Sequence, residues 1–96
     1  MDVVFHPAAD DEYWDQRTYH QMIGEPLALR FAAAFATLID GIARNPHLCH
    51  NRGGGICSVR VHGFPVSVFY RHAGSRLLIL SVCHVRRNPA VWKTRT

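Results

Sequence analysis

After residue 45 the hydrophobic residues of this chain change from helical to strand-like spacing, and that change restricts the fold to one that combines helices with a sheet. Between residues 27 and 42 they recur at the three- and four-residue intervals of an amphipathic helix. The positions that carry this stripe are Leu27, Phe31, Ala34, Phe35, Leu38 and Ile42. Asn45-Pro46 ends the stripe, because the residue before a proline disfavours helical conformation. After three glycines at 53–55 the pattern is that of strands, which predicts an α+β domain.

The segment before the stripe predicts one short strand and one helix. Val3 to Phe5 forms the strand, and Pro7 stands at the helix start, where its missing N–H is not needed. Carboxylates at positions 10–12 fill the first turn, where they suit the helix dipole. The loosely amphipathic face of this helix carries Ala9, Tyr13, Gln16, His20 and Ile23. Gly24 ends the helix and Glu25-Pro26 opens the next, so the two form an antiparallel hairpin.

Three strand-like runs follow a loop at residues 47–55. Residues 56–62 alternate apolar and polar side chains, as a half-buried strand does. Val66 to Arg71 is a second strand, and a turn at 73–75 leads to Leu77 to Cys83, which is apolar on both faces and should be the most buried strand. We therefore predict a single domain over residues 1–96. It has an N-terminal strand, an antiparallel two-helix hairpin and three antiparallel strands, in one mostly antiparallel sheet packed on the helices.

Charge is divided unevenly along the chain. Residues 1–40 hold two arginines and all seven carboxylates, a net charge of −5, whereas residues 41–96 hold nine cations and no Asp or Glu. Since this second half cannot neutralise itself, we expect an anionic partner, either a phosphate backbone or an acidic protein. The alternative is a solvated basic face with the helix acids nearby in space.

The three cysteines predict thiols rather than a disulfide framework. They are Cys49, Cys57 and Cys83. Their number is odd and no Cys-x-x-Cys pair occurs, so we expect reduced side chains, with Cys57 and Cys83 as small buried residues on strands. His47, Cys49 and His50, with Cys57 beyond the glycines, are metal-binding residue types, but their spacing matches no standard zinc pattern. We predict no metal and no cofactor.

The termini and the hydropathy pattern predict a cytoplasmic protein without a membrane partner. The N-terminus has no basic leader and no long apolar run, unlike a secretory signal. The most apolar helix-like stretch, Phe31 to Ile39, is shorter than the roughly 20 residues that a bilayer requires.

Several phrases, taken in order, extend over essentially the whole chain. They are Phe5-His6-Pro7, Ile42-Ala43-Arg44-Asn45-Pro46, Val59 to Pro65 leading to Val68-Phe69-Tyr70, and Ile79 to His84 running into Arg86-Arg87-Asn88-Pro89 and Trp92. The last phrase, an apolar strand followed by His-x-Arg-Arg-x-Pro-x-x-Trp, is the most specific. In order and spacing the phrases resemble the RelE/ParE toxins of bacterial type II toxin–antitoxin systems. The resemblance implies a growth-inhibiting toxin, associated with plasmid stabilisation, that a cognate antitoxin neutralises in a hetero-oligomer.

The family includes two activities, and the shared fold does not choose between them. RelE-like members cleave messenger RNA at the ribosome, whereas ParE-like members inhibit DNA gyrase. For an endonuclease, the resemblance implies a metal-independent site made of Arg60, His84, Arg86 and Arg87. Residues 41–96 contain no carboxylate and the tail has no tyrosine, so His84 is the only good acid or base there. This departure favours the ParE-like, non-nuclease activity.

Basic and aromatic residues of the second half are the expected contacts with the target or the antitoxin. They are Arg60, Arg71, Arg86, Arg87, Trp92, Lys93 and Arg95. For some of them a purely structural role is the alternative: Trp92 as a hydrophobic plug at the sheet edge rather than a base-stacking platform, and His84 as a hydrogen-bonded imidazole at a strand end. A third functional hypothesis is a non-toxic basic protein that binds nucleic acid, although no DNA-reading helix is recognisable.

Overall fold

The computed structural model describes residues 2–47, 49–51, 53–86 and 95. Two helices and five strands occur in these ranges. In chain order they are β1 (Asp2–Phe5), α1 (Pro7–Ile23), α2 (Glu25–Arg44), β2 (His50–Asn51), β3 (Ile56–Arg60), β4 (Val66–Ala73) and β5 (Arg76–His84). The predicted helix limits are confirmed. Each of the three long strands after the loop begins and ends within two residues of its predicted limits.

All five strands form one sheet in the order β1-β5-β4-β3-β2. β3, β4 and β5 are antiparallel neighbours, as predicted, whereas β1 lies parallel to β5, so the sheet is mixed. The helical hairpin connects β1 to the later strands of the sheet. β2 was not predicted, since two residues are too few to show an alternation. It lies within the expected loop and pairs with β3. Gly74, with φ +59°, supplies the left-handed residue of the β4–β5 turn.

Both helix starts follow from local chemistry. His6 precedes α1 and its Nδ1 accepts a hydrogen bond from the Ala8 N–H at 3.1 Å, while Pro7 occupies the first helical position. The inward face of α2 is the predicted stripe, with Ala28, Phe31, Phe35 and Ile42 buried. By length and composition alone α2 could cross a membrane, but here its apolar stripe packs on the sheet.

The main core lies between the helices and the sheet. Phe31 of α2, Val68 and Tyr70 of β4 and Ile79 of β5 are fully buried there. The Tyr70 hydroxyl donates a hydrogen bond to the Pro46 carbonyl at 2.9 Å, which fastens the end of the α2 segment to the sheet. A second buried cluster lies on the opposite face of the sheet and contains Ile56, Phe69, Leu80 and Cys83. β4 and β5 both contribute to the two clusters, and β5 is buried over most of its length, which confirms the prediction that it is buried on both faces.

Two expectations about side chains are wrong. Ile23 was placed on the apolar face of α1, yet 63% of it is exposed. Glu12, which was expected only to suit the dipole of the first helical turn, is buried. Cys49 and Cys57 form a disulfide with a Cα–Cα distance of 5.5 Å, not two thiols. The β2–β3 pairing, in which Asn51 stands opposite Cys57, brings Cys49 close to the sheet. Cys83 is buried, as expected.

Candidate functional site

Three of the predicted basic residues lie at one end of the sheet. Arg60 is the last residue of β3, His84 is the last residue of β5, and Arg86 lies in the turn that follows. The first residues of β4 lie between them, with Ser67 opposite Arg60 and Val66 opposite His84. Arg60 and Arg86 are exposed and His84 is half-buried. We call Arg60, His84 and Arg86 the basic strand end.

The side chains of the basic strand end do not share one face of the sheet. Arg60 stands opposite Ser67, and Ser67 stands opposite Cys83, which belongs to the cluster on the face away from the helices. His84 stands opposite Val66, which belongs to the core on the helix side. Since directly opposed residues point to the same face, the register puts Arg60 and His84 on opposite faces.

The imidazole of His84 already has a partner in its own chain. Its Nδ1 accepts a hydrogen bond from the backbone N–H of Arg86 at 3.1 Å. An accepting Nδ1 carries the lone pair of the neutral ring, so the proton resides on Nε2. In this arrangement the ring can donate through Nε2, but it has no free lone pair with which to abstract a proton.

Arg71 lies away from the basic strand end. It stands opposite Ile56 at the start of β3, four residues and therefore about 13 Å along the strand from Arg60. Its Nη2 donates a hydrogen bond to the Gly54 carbonyl at 2.9 Å, which ties the glycine loop to β4. The structure thus gives Arg71 a local structural role, and its predicted contact with the target or antitoxin stays a prediction.

Of the remaining predicted residues of the tail, the structure describes Arg95. Arg87, Trp92 and Lys93 lie outside the described residues. Arg95 is described and forms an ion pair with Glu12 of α1. Its two terminal nitrogens lie 2.7 Å and 3.1 Å from the two carboxylate oxygens, and one nitrogen also donates to the Leu80 carbonyl at 3.0 Å. The side chains are 16% and 11% exposed, so this is a bidentate, largely buried pair.

Glu12 and Arg95 meet β5 at the point where that strand loses its outer neighbour. β1 pairs with β5 only as far as Ile79, and a bulge follows at Leu80, the residue that the register with β4 skips. The Glu12 carboxylate accepts hydrogen bonds from the Val82 N–H at 3.0 Å and the Ser81 hydroxyl at 3.2 Å. The two charged residues therefore satisfy backbone groups that β1 does not reach. We call this pair the Glu12–Arg95 clasp.

An apolar groove of about 510 Å³ lies where β1, α1 and α2 meet. Its lining residues are Val3, Phe5, Asp10, Tyr13, Trp14, Phe35, Ala36, Ile39, Asp40 and Ala43. Trp14 is 52% exposed, with the Arg17 guanidinium 5.0 Å from its ring centre. Asp10 and Asp40 are exposed at the groove, and Asp40 pairs with Arg44.

The backbone of β1 is available beside this groove. β1 is the outermost strand of the described sheet on that side. The Asp2 N–H donates to the Ser75 carbonyl in the turn before β5, and the His6 N–H donates to the Ile79 carbonyl of β5. Because successive residues of a strand alternate in the side to which their backbone groups point, those of Val3 and Phe5 point outward. The groove and the strand edge together form one surface, which can take an apolar helix, an added strand, or both.

Sequence reasoning missed the clasp and the groove, although each left a signal. Glu12 lies three residues after Ala9 and four before Gln16, so it falls on the inward stripe of α1 despite its charge. Trp14 lies off that stripe, and together with the apolar residues of the groove it forms the kind of contiguous exposed patch that marks an interaction site.

The fold is similar to that of known toxins. A chain of the chromosomal ParDE TA system from P. aeruginosa is similar in structure, with a TM-score of 0.73 and 16% identity, over 88% of this chain and 95% of that one. A YoeB/ParE toxin from Agrobacterium tumefaciens matches with a TM-score of 0.58 and 20% identity, over 88% of this chain and 98% of that one. Comparison with curated proteins gives no significant match.

The sequence itself carries the family assignment. Residues 3–89 match the profile described as ParE toxin of type II toxin-antitoxin system, parDE. Among the described residues, this range includes both helices and all but the first residue of the sheet. The chain therefore belongs to the ParE toxin family, and it is a toxin of a toxin–antitoxin system whose partner is a cognate antitoxin.

Proposed function

We propose that this toxin inhibits growth by binding an essential target, DNA gyrase, and that it does not cleave RNA. The observation that carries the proposal is the arrangement of the basic strand end. Arg60 and His84 lie on opposite faces, and the Nδ1 of His84 is taken by the Arg86 N–H. Exposed Arg60 and Arg86 suit contact with an anionic partner surface, and such contact does not require a proton-transfer group.

Cleavage of RNA without a metal makes different demands. A base must take the 2′-OH proton, positive groups must stabilise the phosphorane, and an acid must protonate the leaving oxygen. The basic half has no Asp or Glu to serve as base, and His84 in the observed hydrogen bond has no lone pair for that role. Arginines alone supply only the electrostatic part, which supports target binding over catalysis.

The experiment is a supercoiling assay with purified gyrase and purified toxin. We expect inhibition of supercoiling by the wild-type chain and weaker inhibition by Arg60→Ala and Arg86→Ala. Arg30→Ala on α2 is the matched control, since Arg30 is exposed but lies on the helical side of the domain. Supercoiling that is unaffected by the wild-type toxin at any concentration would rule out gyrase as the target.

A RelE-like, ribosome-dependent messenger RNA endonuclease is the second candidate. One observation favours it: Arg60, His84 and Arg86 converge on the same end of the sheet, even though their faces differ. For that activity His84→Ala must abolish cleavage at the ribosome while the chain stays folded. Cleavage that persists in His84→Ala would exclude a histidine-dependent mechanism.

The antitoxin is proposed to occupy the groove and the β1 edge. An apolar helix would fill the space between Trp14, Phe35 and Ile39, and an extended segment would pair with the outward backbone groups of Val3 and Phe5. Acidic residues of the same antitoxin would lie against the basic half of the chain. From the family assignment we place this complex in the bacterial cytoplasm, and we attribute plasmid stabilisation to it. Co-expression with the neighbouring gene product, followed by purification of the complex, tests the pairing.

A further inference from the structure

We propose that the end of α1 and the basic strand end together form one surface, which binds a protein target through an apolar pocket with an acidic rim. Tyr19, Met22 and Ile23, which we call the apolar overhang, are large hydrophobic side chains that are 60%, 83% and 63% exposed. The inference rests on the proposed function. It adds the apolar part of the contact and the class of the partner.

α1 runs along β5 in the same direction and passes the end of that strand. At the start of the helix the His6 N–H donates to the Ile79 carbonyl at 2.9 Å, and further along Glu12 accepts from the Val82 N–H at 3.0 Å. From this second contact the strand continues for two residues, about 7 Å. The helix continues for eleven residues, about 16 Å. The last turns of α1 therefore project beyond the strand.

Helical spacing puts two residues of the overhang on the face of α1 that meets the sheet. Tyr19 and Ile23 follow Glu12 by seven and eleven residues, so all three lie on one face. Glu12 is buried against β5, whereas Tyr19 and Ile23 lie beyond the strand end and stay exposed. The overhang thus explains why Ile23 is exposed although it continues the inward pattern of the helix.

Aromatic packing holds the overhang beside the basic strand end. The His20 ring stacks on Phe31 of α2 at 4.8 Å and meets the Phe64 ring edge-on at 5.1 Å. Phe64 belongs to the loop between β3 and β4, which begins directly after Arg60. The end of α1 is therefore fixed to the end of the sheet that carries the basic residues. A surface that is formed before the partner arrives loses less freedom on binding.

Basic residues border the overhang on the helix side of the sheet. His84 stands opposite Val66 of the helix-side core, so its ring points to the side on which α1 lies. Val85, which is 39% exposed, and the exposed Arg86 follow it. The surface is an apolar patch with cationic residues along one margin.

This composition matches an interface with a protein rather than with a nucleic acid. Interface cores are depleted of charge and enriched in aromatic residues and methionine, with polar residues at the rim. Between Arg17 and Glu25 the chain has no Asp, Glu, Lys or Arg, and the overhang contributes a tyrosine and a methionine. A phosphate backbone binds cations and would leave the aliphatic side chains in water. The cations at the margin favour acidic residues at the matching positions of the partner.

The overhang is separate from the groove proposed for the antitoxin. Trp14 lines that groove and follows Glu12 by two residues, so it lies on the opposite side of α1 from the face that Glu12, Tyr19 and Ile23 share. Target and antitoxin therefore use different faces of α1, and mutations can separate the two interactions.

The test compares the double variant Tyr19→Ser/Ile23→Ser with Leu29→Ser in the full chain. Both proteins should fold, because all three side chains are exposed. Leu29 is the matched control: it is 57% exposed, but it precedes the buried Phe31 by two residues and so points away from the sheet. We expect the double variant to lose growth inhibition in induced cells and to bind purified gyrase at least about 10-fold more weakly. Leu29→Ser should match wild type, and antitoxin affinity should be unchanged in both.

Growth inhibition that survives in the folded double variant overturns the inference. Loss of antitoxin affinity in the double variant would assign the overhang to the antitoxin instead. A wild-type dimer that becomes a monomer in the double variant would assign it to a second copy of the chain. Binding of RNA or DNA by the wild type that the double variant loses together with growth inhibition would assign it to a nucleic acid.

The gyrase proposal and the overhang inference fail separately. If wild type leaves gyrase unaffected while the double variant loses growth inhibition, the gyrase proposal is wrong and the overhang inference is supported. If wild type and double variant bind gyrase equally, the target is supported and the overhang inference is wrong. Met22→Ser, which changes the most exposed side chain of the overhang, provides the same comparison if the double variant does not fold.

Discussion

Removing the Glu12 carboxylate should destabilise the fold far more than its place in a first helical turn suggests. Glu12→Ala leaves the Arg95 guanidinium, the Val82 N–H and the Ser81 hydroxyl without their acceptor in a largely buried region. Breaking a buried ion pair from one side typically costs about 3 to 5 kcal/mol. We expect a loss of unfolding free energy in that range. Arg95→Ala removes the second partner and should cost less in a Glu12→Ala background than in the wild type.

The contribution of burial to the ion-pair energy can be isolated by comparing two ion pairs that have the same N–O distance. Asp40 and Arg44 on α2 also lie 2.7 Å apart, but their side chains are 61% and 78% exposed. Exposed pairs at this helical spacing contribute about 0.3 to 0.5 kcal/mol. Double-mutant cycles followed by urea unfolding should give a coupling free energy of about 2 kcal/mol or more for Glu12–Arg95, from charge-assisted hydrogen bonds. The Asp40–Arg44 cycle should stay below about 0.5 kcal/mol.

Equal coupling in the two cycles would refute the reasoning, because burial is the main difference between the pairs. A loss below about 1 kcal/mol in Glu12→Ala would do the same, since an unpaired buried acceptor or donor alone costs about that much. Glu12→Gln gives an internal check: it keeps acceptors for Val82 and Ser81, so it should be less destabilising than Glu12→Ala.

Four further predictions follow from other contacts. Tyr70→Phe should lower the unfolding free energy by about 1 to 3 kcal/mol, because it leaves the Pro46 carbonyl without its donor. Burial raises the pKa of Tyr70 above its ordinary 10.0, so its stabilising effect should be complete below that pH and be lost as pH rises through the folded pKa; urea midpoints in alkaline buffer, with Tyr70→Phe as control, measure this. Reduction of Cys49–Cys57, eight residues apart, should cost about 2.5 kcal/mol in chain entropy, measured by thermal unfolding with and without reductant. Trp14→Ala should weaken antitoxin binding by about 2 kcal/mol or more in calorimetry and change the unfolding free energy by less; equal affinity would remove the groove from the antitoxin interface.

Much of the fold follows from local pattern. The stripe from Leu27 to Ile42 became α2, and proline and glycine positions marked both ends of the helices within a residue. The apolar run of β5 indicated a strand buried on both faces. What local pattern does not contain is strand direction: nothing in Val3 to Phe5 distinguishes a parallel from an antiparallel neighbour. The bulge at Leu80 is equally silent in sequence, because it depends on the register of β4 against β5.

The functional surfaces were less accessible than the fold, for a physical reason. The family resemblance grouped Arg60, His84 and Arg86 in one possible site, but only the register shows that Arg60 and His84 use different faces. Arg95 looked like one more cation of a basic tail, whereas its contact with Glu12 joins residues 83 positions apart. Contacts of that range depend on the folded arrangement of α1 against β5, which neither composition nor periodicity specifies.

We propose that this ParE-family toxin acts on gyrase without cutting RNA. Induced expression of wild type and His84→Ala in cells, with DNA supercoiling and messenger RNA integrity measured in the same samples, distinguishes the two activities. The proposal predicts that both proteins stop growth and alter supercoiling, while messenger RNA remains intact. Rapid messenger RNA cleavage by the wild type that disappears in His84→Ala, with supercoiling unchanged, would contradict it.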